Sequence, residues 1–110
     1  LGIDIEDISR FENKDKVEDE KFLLRVIRLF YSFKNYAEHL CARFCVKEAV
    51  IKVLAYKGIK HSKLNNIEVY KGKYGEPYVR LLDCEYSNLT IDISIAHEKT
   101  KAIAIAMIKD

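Results

Sequence analysis

In "GIDIE", residues 2 to 6, Asp4 and Glu6 alternate with isoleucine, so strand geometry places both carboxylates on one face. Further along, "FCVKEAVIKVL", residues 44 to 54, sets Lys47, Glu48 and Lys52 into an otherwise apolar run. Glu48 and Lys52 are four residues apart and share one side of a helix, while Arg43 and Lys47, with the same spacing, share another. A carboxylate walled in by Val, Ile, Leu and Phe destabilises a fold unless a cation or hydrogen bonds compensate it. If the Asp4 and Glu6 face packs beside the helix, three carboxylates converge into an oxygen-rich site suited to a hard cation such as Mg²⁺. Magnesium is usually held by one or two carboxylates plus phosphate oxygens, so nearby lysines would complete a polyphosphate site. The simpler account makes Glu48 and Lys52 a surface ion pair worth about 0.2 to 0.5 kcal/mol, with Arg43 and Lys47 solvated. It leaves Asp4 and Glu6 on an open strand face.

Other candidates carry less chemistry by themselves. His97 follows "SIA" and reads equally as a capping histidine, and "GKYGEP", residues 72 to 77, reads as a turn between strands. Cys41, Cys45 and Cys84 form no disulfide framework. Cys41 and Cys45 stand one helical turn apart with neither CxxC spacing nor a histidine at ligand distance in sequence, and read as small buried apolar groups in a reducing compartment.

The elements that would position these groups follow from periodicity. "GIDIED" reads as a first strand. A first helix is predicted over roughly 20 to 32, from the spacing of Phe22, Val26, Leu29 and Phe33. A longer helix runs from about Tyr36 to Lys57, closed by Gly58 in the left-handed position after its end. Leu40, Phe44, Val50, Ile51, Val53 and Leu54 spread around most of its circumference, so other elements must cover it. "IEVYKG", "PYVRLL", "LTIDISIAH" and "AIAIAMI" read as strands, the last two joined through "EKTK" as an antiparallel hairpin. The order implies an α+β domain with the long helix packed on a mostly antiparallel sheet.

A chain of 110 residues with 49% hydrophobic and 33% charged content suits one globular domain with one core. A net charge of +2 is too slight to argue for a nucleic-acid coat or a membrane patch, and the seven tyrosines are scattered. No apolar stretch reaches the roughly 20 residues that cross a bilayer, and no signal-peptide pattern opens the chain. The expectation is a soluble protein of the cytoplasm.

Three motifs in order, "GIDIEDISRF" at 2 to 11, "FCVKEAVIKVL" at 44 to 54 and "SIAHEKTKAIAIAM" at 94 to 107, with "GEP" at 75 to 77 between the last two, resemble the 4′-phosphopantetheinyl transferase superfamily. The likeness is strongest to its small bacterial holo-acyl-carrier-protein synthases. The resemblance implies transfer of the phosphopantetheine arm of coenzyme A to a serine of an apo acyl carrier protein, with release of adenosine 3′,5′-bisphosphate. It implies that Asp4 and Glu48 bind Mg²⁺ and that Lys52 approaches the pyrophosphate, which makes these three the catalytic residues. Either Glu48 or a water on the metal would accept the serine proton.

For coenzyme A, the resemblance implies phosphate contacts from Arg43 and Lys47, an adenine side lined by the backbone around Gly75 and Pro77, and His97 near the nucleotide. Arg10 would grip the acidic carrier protein, with Arg25 and Arg28 extending that surface. Small members form homotrimers with shared active sites. Glu6 stands where small synthases have an apolar residue or Thr, while the larger transferases use "GIDIE" with that glutamate as a third metal ligand. "YSFKNYAEH" lacks the Thr and Glu pattern that commonly opens its region. The alternative from another class is a catalytically silent trimer that binds a carrier protein or a nucleotide. Asp4, Glu48 and Lys52 together argue against it, since mere binding needs no such trio.

Overall fold

The computed structural model describes residues 1–12, 36–60, 64–86 and 88–109. In chain order these form β1 (Gly2–Asp7), a one-turn helix α1 (Ser9–Glu12), the long helix α2 (Tyr36–Ala55), and strands β2 (Ile67–Lys71), β3 (Pro77–Leu81), β4 (Thr90–His97) and β5 (Lys101–Lys109). The helix expected over 20 to 32, with Arg25 and Arg28, lies outside the described residues. The α+β class holds, but the strands divide into a three-stranded sheet in the order β1-β5-β4 and a β2-β3 hairpin, all antiparallel.

α2 ends at Ala55, two residues before the expected limit, because the chain turns into a Schellman cap. Gly58 adopts φ 75°, Ile59 N–H donates to Leu54 O at 3.1 Å, and Gly58 N–H to Ala55 O at 3.0 Å. The helix is covered nearly all round, as its apolar spread requires. Cys45, Val46, Ala49, Val50, Val53 and Leu54 pack against Ile67 and Leu81 of the hairpin, Ile91 of β4, and Ala104 and Ala106 of β5. Each fully buried Val or Leu contributes about 1.5–3 kcal/mol. A second cluster joins Ile8 and Phe11 to Leu40, Cys41, Phe44 and Ala102, with the Phe11 and Phe44 rings 5.5 Å apart. α1 is too short for periodicity to reveal, yet it delivers the fully buried Phe11.

The inner face of β5 is Ala102, Ala104 and Ala106, all essentially buried, while Ile105 and Met107 are 41% and 47% exposed on the other face. β1 follows the same rule. Its Asp4 and Glu6 side is partly buried against α2, and Ile3 and Ile5 are exposed, next to Ile105 and Ile103 of β5. The small inner residues let β1 and β5 lie close to the helix. A Cβ at Gly2 would collide with the Ala49 carbonyl oxygen and come within 2.8 Å of Val53 N, both backbone atoms that cannot swing aside. Gly2→Ala is therefore expected to cost about 1–3 kcal/mol through overpacking, read as a lowered thermal midpoint. An unchanged midpoint would show that β1 can retreat freely.

Candidate active site

Period-2 geometry in β1 turns Asp4 and Glu6 toward α2, where the i, i+4 stripe presents Cys41, Cys45, Glu48 and Lys52. The Lys52 ammonium donates to Asp4 Oδ1 and to the Ile3 carbonyl oxygen, each at 3.0 Å. The ion pair of the simpler account is thus replaced by a tie between helix and strand. Asp4 is only 11% exposed in its side chain. Its second oxygen, Oδ2, is buried with no hydrogen-bond partner among the described residues. Glu6 accepts from Arg10 Nη1 at 2.8 Å, and the Arg10 guanidinium lies over the Phe44 ring, 4.9 Å from its centroid.

The electrostatics show three acids crowding one place. Burial raises the Glu48 carboxyl above its ordinary value of 4.5, the Asp4 charge raises it further, and Lys52 and Arg10 oppose the shift. Glu6 is raised by burial and then by Asp4, against the pull of Arg10. Lys52 is raised by its bond to Asp4 first, its partial desolvation acting the other way. Burial is the first cause for both glutamates, and the Asp4 charge adds to it, so a cation placed here would relieve part of each shift.

Among the described residues no three His, Cys, Asp or Glu side chains stand at a spacing that would hold a metal ion. The cluster is an open set of oxygens rather than a closed cage. The buried, unbonded Asp4 Oδ2 and the disfavoured charge on Glu48 fit a hard cation that draws its remaining ligands from water and phosphate. Lys52 also borders an open trough of about 510 Å³ with Leu1, Gly2, Ile3, Ala55 and Tyr56.

Arg43, Gly75, Pro77 and His97, four positions distant in sequence, come together in a cleft of about 230 Å³. Gly75, with φ 83°, turns the β2-β3 loop over it, and His97 closes the far side from the end of β4. The Arg43 guanidinium is buried, which lowers its pKa. Lys47 does not reach this cleft. It is 1% exposed, and its ammonium donates to the Leu64 carbonyl oxygen at 2.9 Å, so it acts as an internal strut. Arg10 stands half exposed beside Glu6.

Two residues at these sites were not legible as functional. Glu38, in the first turn of α2, lines the cleft with its Oε1 3.1 Å from His97 Nδ1. That meeting exists only once the end of β4 crosses the start of the helix. Cys45 read as packing, yet its thiol lies 3.0 Å from the Asp4 carbonyl oxygen. Burial and the Asp4 charge push that thiol up to about 12, and burial pushes Cys41 to about 11.

Over residues 1–106 the chain matches the model of the 4′-phosphopantetheinyl transferase superfamily. It is 42% identical over 113 residues to the holo-[acyl-carrier-protein] synthase of Thermodesulfovibrio yellowstonii, covering 98% of this chain and 96% of that one. Identity to the Clostridium tetani synthase is 33% over 120 residues, covering 99% and 94%. The fold superposes on the crystal structure of Helicobacter pylori holo-[acyl-carrier-protein] synthase in complex with coenzyme A at a TM-score of 0.77, with 27% identity and 98% of each chain covered. The Bacillus anthracis synthase, in complex with CoA (3′,5′-ADP), gives a TM-score of 0.71 at 25% identity, covering 97% and 92%. The resemblance carried by the three motifs and the expected α+β fold are borne out together. The chain belongs to the 4′-phosphopantetheinyl transferase superfamily, with its holo-[acyl-carrier-protein] synthases.

Proposed function

We propose that this enzyme transfers the 4′-phosphopantetheine group of coenzyme A to a serine of an apo acyl carrier protein in the cytoplasm, with Mg²⁺, releasing adenosine 3′,5′-bisphosphate. The observation that carries the reading is the Lys52–Asp4 tie beside Glu48, with one buried Asp4 oxygen left unbonded. Asp4 and Glu48 would hold Mg²⁺, and Glu6, engaged with Arg10, is the third candidate. Bound there, the ion supplies charge neutralisation at the pyrophosphate.

The rest of the work falls to the chain's own groups. As the serine oxygen bonds to phosphorus, the bond from that phosphorus to the departing nucleotide's phosphate oxygen breaks, and negative charge grows on that oxygen. We assign Lys52, anchored through Asp4, to that charge. The serine proton must leave in the same step, and we assign its removal to Glu48. Arg43, Gly75, Pro77 and His97 take the nucleotide in their cleft. Arg10 offers its exposed side to the acidic carrier.

A homotrimer with shared sites is part of the reading, on two grounds. Arg43 and Glu48 are five residues apart on α2, hence about 140° apart around its axis, so cleft and carboxylates face different ways in one chain. Ile3, Ile5, Ile105 and Met107 make an exposed apolar sheet face that a second copy would cover.

Incubation with coenzyme A, Mg²⁺ and an apo carrier should add phosphopantetheine to the carrier serine, seen by mass spectrometry. No adduct with any of several carriers would sink the reading. Lys52→Met should slow transfer roughly a hundredfold, as for loss of one preorganised donor. Rates near wild type would remove Lys52 from the chemistry.

A further inference from the structure

Among the described residues β1 is the outer strand of its sheet, paired with β5 on one side. Three side chains of α2 meet its backbone carbonyls. Lys52 donates to Ile3 O at 3.0 Å, Cys45 to Asp4 O at 3.0 Å, and Cys41 to Glu6 O at the longer distance of 3.7 Å. The Cys45 thiol also lies 3.5 Å from the Ala102 carbonyl oxygen of β5, so it fills the crevice between the two strands. It is fully buried. Packing alone would be served by alanine or valine at this position, but neither offers the Asp4 carbonyl a donor.

Cys45 precedes Glu48 by three residues, within one turn of the same helix. The group that grips the main chain of Asp4 is therefore fixed to the turn that carries Glu48. We propose that Cys45 is a positioning residue of the transfer reaction: its S–H···O=C bond to Asp4 sets the separation of the Asp4 and Glu48 carboxylates. This role rests on the reaction proposed above. Without the thiol, β1 is tethered beside Asp4 by Lys52, whose side chain is half exposed, and the Asp4 carbonyl loses a donor.

The test compares wild type, Cys45→Ala and Cys45→Ser in two measurements: Mg²⁺ affinity by calorimetry on the protein alone, and transfer from coenzyme A to an apo carrier. Cys45→Ala should weaken Mg²⁺ binding and lower kcat, each roughly tenfold as expected for a small misplacement of reacting groups. At saturating Mg²⁺ the KM for coenzyme A should not move, because the nucleotide cleft is untouched. Cys45→Ser keeps a donor and should retain most of both properties. Cys45→Val replaces Cys45→Ala should the alanine variant fail to fold. Wild-type values for Cys45→Ala, or an equal fall in Cys45→Ser, would overturn the positioning role. A wild-type protein that binds Mg²⁺ but modifies no carrier would instead overturn the reaction, and this role in it.

Discussion

Replacing Glu48 by glutamine should slow transfer by about a thousandfold and at the same time make the metal-free protein more stable at neutral pH. The two effects have one cause. Burial and the neighbouring Asp4 charge raise the Glu48 carboxyl above 4.5. A carboxyl whose folded pKa is raised binds its proton more tightly in the native state than in the unfolded chain. Its contribution to stability is then full below the ordinary value of 4.5 and is lost as pH rises through the raised folded value. Glu6, raised for similar reasons, follows the same sign. Glutamine cannot ionise and avoids that loss. Melting curves of wild type and Glu48→Gln should differ by a few degrees near about pH 7 and converge near about pH 4, and Mg²⁺ should narrow the neutral gap by stabilising wild type alone. Retained activity, or a destabilised variant at both pH values, would show that Glu48 is a structural residue.

A charge at the centre of the exposed sheet face should be nearly as damaging, by a different route. Ile105 is paired with Ile3 in β1 and Ser94 in β4, so it occupies the middle of that face. Its side chain points away from α2, and Ile105→Lys should leave the fold of each chain intact. In the proposed trimer an unpaired ammonium buried between copies would cost several kcal/mol, enough to turn trimers into monomers. On that reading light scattering should report the smaller mass, and transfer should fall about a hundredfold or more, the two halves of each proposed shared site having separated. A trimeric and active Ile105→Lys would locate the interface elsewhere.

The outward isoleucines also show where sequence reading stops. Alternation in "GIDIED" and "AIAIAMI" identifies strands and sorts their side chains into two faces, but it does not say which face is the core. Here the inner face goes to alanine, glycine and two acids, and at Gly2 the helix lies too close for any side chain. The members of the carboxylate cluster were legible from fixed periods, two residues for Asp4 and Glu6 in β1 and four for Glu48 and Lys52 in α2, while their meeting hung on the strand face packing beside the helix. The cleft was less so: Arg43, Gly75, Pro77 and His97 meet only through tertiary packing, and the resemblance, not their spacing, singled them out. Lys47 was illegible for a plainer reason, because its partner is a main-chain oxygen at Leu64, and any residue there would supply one.

The seam of Gly2, Ala49, Ala102, Ala104 and Ala106 gives the site an unusual relation to mutation. A Cβ at Gly2 would strike the helix backbone, so strand and helix stand too close there for any side chain between them. At Gly2 every substitution adds atoms, so drift at that position can move Asp4 and Glu48 farther apart but has no route to bring them closer. Change at Gly2 therefore runs one way: separation gained there between the Asp4 strand and the Glu48 helix is undone at that position only by restoring the glycine.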